Sequence, residues 1–136
     1  MTEPTTDRRP YALVVDDEVL IRMLAIDILE DAGFRSYEAD SVERAMAILH
    51  KHHASIVLLF TDVEINGLEN GFVLARKTAE LWPDIGILVA SGRIKPGPTD
   101  MPAGAHFVGK PFNSGVVQDR IKQLLPNDRK PDPLKG

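Results

Sequence analysis

Five short apolar segments alternate along the chain with longer segments in which apolar residues recur every three or four positions. The short segments are residues 11–15, 35–39, 56–61, 85–90 and 105–108. Uninterrupted apolar runs of this length are typical of β-strands that are buried on both faces of a sheet. The run 56–61 leads straight into Asp62 and predicts a central strand, whereas 35–39 is the least apolar and predicts a strand at or near an edge.

The longer segments predict helices over residues 19–32, 40–50, 72–81 and 113–125. The apolar face of the first of them consists of Ile21, Leu24, Ala25, Ile28 and Ala32, which recur at helical spacing. Asp40 and Glu43 have the spacing of a capping pair for the second helix. Asn113 or Ser114 is a suitable N-terminal cap for the last helix.

The segment 94–104, between the last two strands, differs from the other connections because it contains Pro96, Pro98 and Pro102. Proline removes a backbone donor and clashes with the preceding helical turn. We therefore expect at most a short or distorted turn in place of a full fourth helix.

The alternation of strands and helices predicts an α/β fold, a doubly wound sheet of five parallel strands with helices on both faces. A length of 136 residues suits one domain. We assign residues 10–125 to that domain. Residues 1–9 and 126–136 are polar or rich in proline, and we expect them to be flexible tails.

The composition excludes several classes of protein. The chain has no cysteine, which rules out disulfides, thiol catalysis and zinc–thiolate sites. Its net charge of −4 and the lack of a basic cluster argue against direct binding of nucleic acid. No apolar segment approaches the ~20 residues that span a bilayer, and the first residues lack a signal core. We therefore expect a cytoplasmic protein that does not contact the membrane.

Polar side chains follow the predicted strands at one end of the sheet. Asp16 and Asp17 follow the first strand, Asp62 the third, Ser91 the fourth and Lys110 the fifth. Because the carboxyl ends of parallel strands meet at the same edge, we expect all five side chains to gather there.

These residue types have the chemistry that phosphoryl transfer requires. Three neighbouring carboxylates repel one another, and Mg²⁺ with its oxygen ligands relieves that repulsion. Lys110 can reach a phosphate oxygen, and Ser91 adds a neutral donor. Asp62 is the best candidate for the nucleophile, because its strand is central.

On these residues the chain resembles the receiver domains of response regulators in two-component signalling, from about Tyr11 to Leu125. The resemblance implies the strand order 2-1-3-4-5. It also implies that Asp62 is the phosphoacceptor and that Lys110 and Ser91 contact the phosphoryl oxygens. The implied ligands of Mg²⁺ are Asp17 directly, Asp16 mainly through water, Asp62, and the backbone carbonyl of Glu64.

The resemblance further implies a switch. A histidine kinase or phosphotransfer protein would supply the phosphoryl group, and Ser91 would then move toward it. Phe107 stands where the family often has a switch aromatic; it either follows Ser91 inward or is simply a core residue. The switched surface would bind a downstream protein or allow the phosphate to be relayed, either in a monomer or through a phosphorylation-dependent dimer.

Three further patterns allow two interpretations each. Glu64 and Arg93 either pair across the acceptor site or remain solvated. Met23 and Ile26 lie off the predicted core face of the first helix and either contact the kinase or are ordinary surface residues. The histidines at the end of the second helix are a metal site or, more simply, a solvated helix terminus; they are His50, His52 and His53.

We interpret the chain as a stand-alone, single-domain response regulator that is a phosphoacceptor and not an enzyme. Two alternatives come from other classes of protein. One is a small Mg²⁺-dependent phosphohydrolase that uses Asp62 as a turnover nucleophile. The other is a receiver-like module that binds a protein without being phosphorylated.

Overall fold

The structure, a computed structural model, describes residues 9–65, 69–97 and 99–136. Most of the predicted N-terminal tail, the Asn66-Gly67 part of the loop after the third strand, and Pro98 lie outside the described residues.

Five β-strands and four α-helices form the sheet and its two covering layers. In chain order they are β1 (Tyr11–Val15), α1 (Val19–Asp31), β2 (Arg35–Ala39), α2 (Val42–His52), β3 (Ile56–Asp62), α3 (Gly71–Leu81), β4 (Gly86–Ser91), β5 (His106–Gly109) and α4 (Ser114–Leu124). All five strands are parallel, and their order in the sheet is β2-β1-β3-β4-β5. The predicted α/β fold and strand order are confirmed.

The central strand β3 determines where the polar edge lies. All seven of its residues are buried, as expected for an apolar run covered by helices on both faces. Val15 at the end of β1 pairs with Thr61, and Asp62 pairs with Ala90 of β4. This register brings the residues that follow β1 and the last residues of β4 alongside Asp62.

Two apolar layers cover the sheet. Alternate residues of β1 point to opposite layers, as the two-residue period of a strand requires: Ala12 and Val14 face α1 and α4, whereas Leu13 and Val15 face α2 and α3. No helix in the described residues is long and apolar enough to cross a membrane.

Two details predicted for α1 are wrong. In α1, Leu24 is 45% exposed, and the buried stripe consists of Ala25, Ile28 and Leu29. Ile26, predicted to lie off the core face, packs against the core. The buried face of α1 therefore includes Leu29, which is fully buried, and leaves Leu24 partly in solvent.

Serine or asparagine side chains cap the N-termini of α2, α3 and α4. Ser41, and not Asp40, caps α2, where its hydroxyl accepts a hydrogen bond from the Arg44 N–H at 3.2 Å. Asn70 caps α3 by accepting from two backbone N–H groups, and Asn113 caps α4. A short polar side chain at the cap satisfies donors that the first helical turn leaves unpaired.

The connection between β4 and β5 contains no helix within its described residues, as the prolines predicted. Side chains hold it in place: Arg76 of α3 donates to the main-chain oxygen of Asp100 at 2.8 Å. The Asp100 carboxylate in turn accepts from the Gly97 N–H at 2.6 Å.

The C-terminal segment differs from the predicted flexible tail. Residues Asn127–Arg129 and Asp132–Leu134 form two short 3-10 helices. Leu134 is 2% exposed and belongs to the core layer beneath α1 and α4. A single apolar residue that follows several prolines gives little periodic signal, so only tertiary packing reveals that this segment is part of the domain.

Candidate functional site

Four acidic or hydroxyl side chains meet at the carboxyl edge of the sheet. Asp16, Asp62 and Ser91 are buried, and Asp17 is half-buried. Asp16 and Asp17 follow β1 directly, whereas Asp62 and Ser91 are the last residues of their strands. The structure thus brings together the residues that the sequence predicted to share one edge.

Lys110 completes this group from the loop after β5. Its Nζ lies 3.2 Å from Asp16 Oδ2 and 3.2 Å from Asp62 Oδ1. The main chain supports this position, because the Lys110 N–H donates to the Ser91 oxygen at 3.0 Å. One ammonium therefore bridges two buried carboxylates.

Burial and charge shift two pKa values in this group. Burial raises the pKa of Asp62 from 3.8 to about 6; the nearby Lys110 opposes this rise, and Asp16 adds to it. Burial by itself would lower the pKa of Lys110, but Asp62 and Asp16 outweigh that effect and raise it. The lysine therefore stays charged at neutral pH, and the Asp62 carboxyl ionises at a higher pH than a free aspartate.

Asp16 is anchored through its main chain as well as its side chain. Its N–H donates to the Ala39 oxygen of β2 at 3.1 Å, and its Oδ1 accepts from the Glu18 N–H at 2.9 Å. Its main-chain oxygen accepts from Arg22 Nη1 at 2.9 Å. Sequence reasoning missed Arg22, which is polar on a helix and carries no signal of this contact.

The carboxylates suit a hard divalent cation. One oxygen from each of Asp16, Asp17 and Asp62 lies within 4.8 Å of the others. An all-oxygen set with room for water is the type of site that Mg²⁺ prefers. Asp17, Asp62 and Glu64 also line a cavity of about 650 Å³ beside the strand ends. The residues present therefore fit the cation that the sequence predicted.

Ser91 and Phe107 have defined surroundings. The Ser91 hydroxyl accepts a hydrogen bond from the Ile94 N–H at 3.0 Å, which ties it to the β4–β5 connection. Phe107 is half-buried and packs against the core layer on the α2 and α3 side. A second aromatic, Phe112, lies edge-on to Phe60 of β3 with ring centroids 5.4 Å apart.

Gly71 brings α3 against the acceptor strand. A Cβ at this position would overlap the main-chain oxygen of Asp62, and the Gly71 N–H donates to the Val63 oxygen at 2.8 Å. The Asn-Gly pair at 70–71 is visible in the sequence as a turn signal, but the sequence does not reveal this close approach.

Two hypotheses from the sequence find no support in these contacts. Glu64 and Arg93 are both exposed and line the same cavity, but no ion pair joins them. Among the described residues, the groups that could hold a metal include none of the histidines. His50 and His53 instead pack around Trp82, and His52 stacks on Tyr37.

Comparisons with known proteins agree with this architecture. Sporulation initiation phosphotransferase F of Bacillus subtilis is 30% identical over 117 residues, which cover 84% of this chain and 92% of that protein. The phosphate regulon transcriptional regulatory protein PhoB of Pseudomonas aeruginosa is 34% identical over 118 residues, 83% of this chain but 50% of PhoB. This chain thus spans about half of that transcriptional regulator.

A solved structure and a family model point the same way. The response regulator receiver protein of Sinorhizobium medicae has a TM-score of 0.75 at 26% identity, over 90% of this chain and 98% of that one. The family model for the response regulator receiver domain matches residues 12–122. The chain therefore belongs to the response regulator receiver domain family.

Proposed function

We propose that this receiver domain accepts a phosphoryl group on Asp62 and thereby switches a protein-binding surface. The observation that carries the proposal is the bridge from Lys110 to Asp62 beside Asp16 and Asp17. It puts one buried carboxylate next to both a fixed ammonium and a set of cation ligands. Such an arrangement neutralises the charge of a transferring phosphoryl group.

Each residue has a distinct part in this reaction. An Asp62 oxygen attacks phosphorus; the new O–P bond replaces the P–N bond of a phosphohistidine, and the imidazole leaves and takes up a proton. Lys110 already lies within reach of Asp62 and binds a phosphoryl oxygen. Ser91 exchanges its hydrogen bond with the Ile94 N–H for one to the phosphoryl group.

Asp16, Asp17 and Asp62 would hold Mg²⁺, together with the backbone carbonyl of Glu64. The bound cation supplies charge neutralisation for the donor phosphate and for the acyl phosphate. The chain's own contribution is to fix these ligands at strand ends and to keep Asp62 largely buried.

Ser91 links the site to the surface that would switch. The β4–β5 connection starts at Ser91 and is tied to it through Ile94, so a shift of the serine hydroxyl moves this connection. Phe107 lies under the same region and follows the movement by packing alone, since phenylalanine has no hydroxyl. We expect the partner surface to include the β4–β5 connection.

The partners follow from this chemistry. The donor is a histidine kinase or a phosphotransfer protein in the cytoplasm, and the output is another protein that binds the switched surface or receives the phosphate. We infer no direct contact with nucleic acid or membrane, because the chain has a net charge of −4 and lacks a basic cluster. Oligomerisation after phosphorylation would be read from the molecular mass in solution.

Incubation with Mg²⁺ and a small phosphodonor such as acetyl phosphate tests the proposal. Intact-protein mass spectrometry should find one added phosphoryl group in the wild type and none in Asp62→Asn. Phosphorylation of the variant, or of neither protein, would contradict it. Sustained turnover of a phosphomonoester would instead indicate a phosphohydrolase. An unmodified wild type that still binds its partner would indicate a phosphorylation-independent module.

A further inference from the structure

We propose that Arg22 is a positioning residue for the Mg²⁺ ligands, because it ties the main chain between Asp16 and Asp17 to strand β2. This inference rests on the proposed function, since it concerns how the cation site of that function is held in shape.

The guanidinium of Arg22 makes two hydrogen bonds in different directions. Its Nη1 donates to the Asp16 main-chain oxygen at 2.9 Å, and its Nε donates to Glu38 Oε1 at 2.7 Å. The Arg22 side chain is only 16% exposed, whereas that of Glu38 is 56% exposed. Because the guanidinium is planar and rigid, two bonds from different nitrogens hold it in one orientation.

The contact with the Asp16 oxygen matters because of the peptide to which that oxygen belongs. A peptide group is planar, so its oxygen and the nitrogen of the next residue move as one unit. Holding the Asp16 oxygen therefore sets the direction from which Asp17 extends. Asp17 lines the cavity beside Asp62, and its position decides whether three carboxylates reach one cation.

Glu38 supplies the fixed end of this arrangement. It belongs to β2, which pairs with β1 residue by residue up to Val15 and Ala39. The two hydrogen bonds of Arg22, one to Glu38 and one to the Asp16 oxygen, thus link the loop after β1 to strand β2. This link is separate from the backbone hydrogen bonds that pair the two strands. Groups that orient metal ligands from behind typically contribute ~10- to 100-fold to metal affinity.

Isothermal titration of Mg²⁺ into the wild type and four variants tests this inference. We expect the dissociation constant for Mg²⁺ to rise about tenfold or more in Arg22→Met, which keeps an unbranched apolar stem but loses both hydrogen bonds. Arg22→Lys should recover only part of the affinity, because one ammonium keeps the charge but not the paired geometry. Glu38→Ala should lie between the wild type and Arg22→Met.

Arg76→Met is the matched control. Arg76 also lies on a helix and donates to a main-chain oxygen, that of Asp100 at 2.8 Å, but it is outside the metal site. Its removal should leave the Mg²⁺ dissociation constant at the wild-type value. Thermal unfolding without metal is measured in parallel for every variant, because a purely structural role would lower the unfolding temperature and leave metal affinity unchanged.

The Mg²⁺ titrations have outcomes that separate the positioning role of Arg22 from the proposed function. Wild-type Mg²⁺ affinity in folded Arg22→Met would overturn the positioning role and leave the proposed cation site intact. Absence of Mg²⁺ binding by the wild type would overturn the proposed function and the positioning role with it. If Arg22→Met does not fold, Glu38→Ala decides, since Glu38 is largely exposed: weaker binding supports the role, and unchanged binding overturns it.

Discussion

Lys110 determines the balance of charge at the acidic edge. Its ammonium lies 3.2 Å from both Asp16 and Asp62, so one positive charge is shared between two carboxylates. The excess negative charge favours a divalent cation, and the lysine keeps a positive group close to the acceptor. Substitution by arginine would preserve the charge but not the compact single-point contact.

The raised pKa of Asp62 predicts that its charge costs stability. The carboxyl titrates at 3.8 in the unfolded chain and at about 6 in the folded one. The folded state therefore binds the proton more tightly, and stability is lost as pH rises from about 4 through 6. At pH 7.5 without metal, the free energy of unfolding of Asp62→Asn should exceed that of the wild type by about 3 kcal/mol. The variant should accordingly unfold at a higher temperature.

The pH dependence distinguishes this explanation from better packing of the amide. Near pH 4 the wild-type carboxyl is protonated, and the two proteins should unfold at similar temperatures. Denaturation in metal-free buffer at several pH values measures the difference. If Asp62→Asn were more stable than the wild type by the same amount at every pH, the charge of Asp62 would not be the cause of the difference.

At the scale of single elements, helix α3 begins in direct contact with the end of strand β3, at Asp62. Gly71 is required there by space, because a Cβ would overlap the main-chain oxygen of Asp62. Gly71→Ala should therefore destabilise the domain by about 1–3 kcal/mol or more, as expected for overpacking against rigid backbone. Chemical denaturation measures the change in the free energy of unfolding.

Gly109→Ala is the matched control for this substitution. A Cβ at Gly109 meets no atom within 4 Å, and the residue ends strand β5. We expect little change in its unfolding free energy. An equal loss in both variants would mean that the overlap at Asp62 is not the reason for glycine at position 71.

The C-terminal segment is a structural element and not a tail. Its Leu134 is buried in the layer that also contains Phe34. At Gly33 the backbone has φ of 105°, and a Cβ there would meet Pro131 and Pro133. Leu134→Ala should lower the free energy of unfolding by about 2–5 kcal/mol, the usual range for a buried leucine.

Leu20→Ala provides the comparison, because Leu20 is 79% exposed. Its removal should change stability by only a few tenths of a kcal/mol, roughly the range for surface positions. Urea denaturation of both variants gives the two values. A Leu134→Ala protein as stable as Leu20→Ala would restore the view that residues 126–136 are a flexible tail.

At the scale of the whole molecule, the cation ligands come from two different strands. Asp16 and Asp17 follow β1, and Asp62 ends β3, so only the folded chain brings them together. A cation that binds only the folded state raises the free energy of unfolding by RT ln(1 + [L]/Kd), where [L] is the free cation concentration. This is about 2.7 kcal/mol when that concentration is one hundred times Kd. Saturating Mg²⁺ should accordingly raise the unfolding temperature of the wild type.

Asp17→Asn should lose most of this increase, because it removes a carboxylate from the set that fits the cation. The comparison uses differential scanning calorimetry with and without Mg²⁺ at constant ionic strength. An equal increase in Asp17→Asn would indicate that the cation acts elsewhere on the protein.

The pattern of apolar and polar residues was enough to predict the layers of the fold and the edge on which the polar residues lie. Apolar runs alternate with helical periodicity, so strands and helices had to alternate, and the run at 56–61 had to be buried. The carboxyl ends of parallel strands lie at one edge of a sheet, and this alone predicts that Asp62 and Lys110 lie close together. The prolines after β4 likewise predicted that no full helix forms there, and the described residues of that connection contain none.

Tertiary structure alone decided which polar atoms touch and which surfaces are covered. Three contacts depend on how separate elements pack: the bridge of Arg22 to the Asp16 oxygen and Glu38, the fit of Gly71 against Asp62, and the burial of Leu134. Periodicity reports only which face of an element is apolar. Individual contacts depend on how each element is rotated and packed, which in turn depends on all the elements around it.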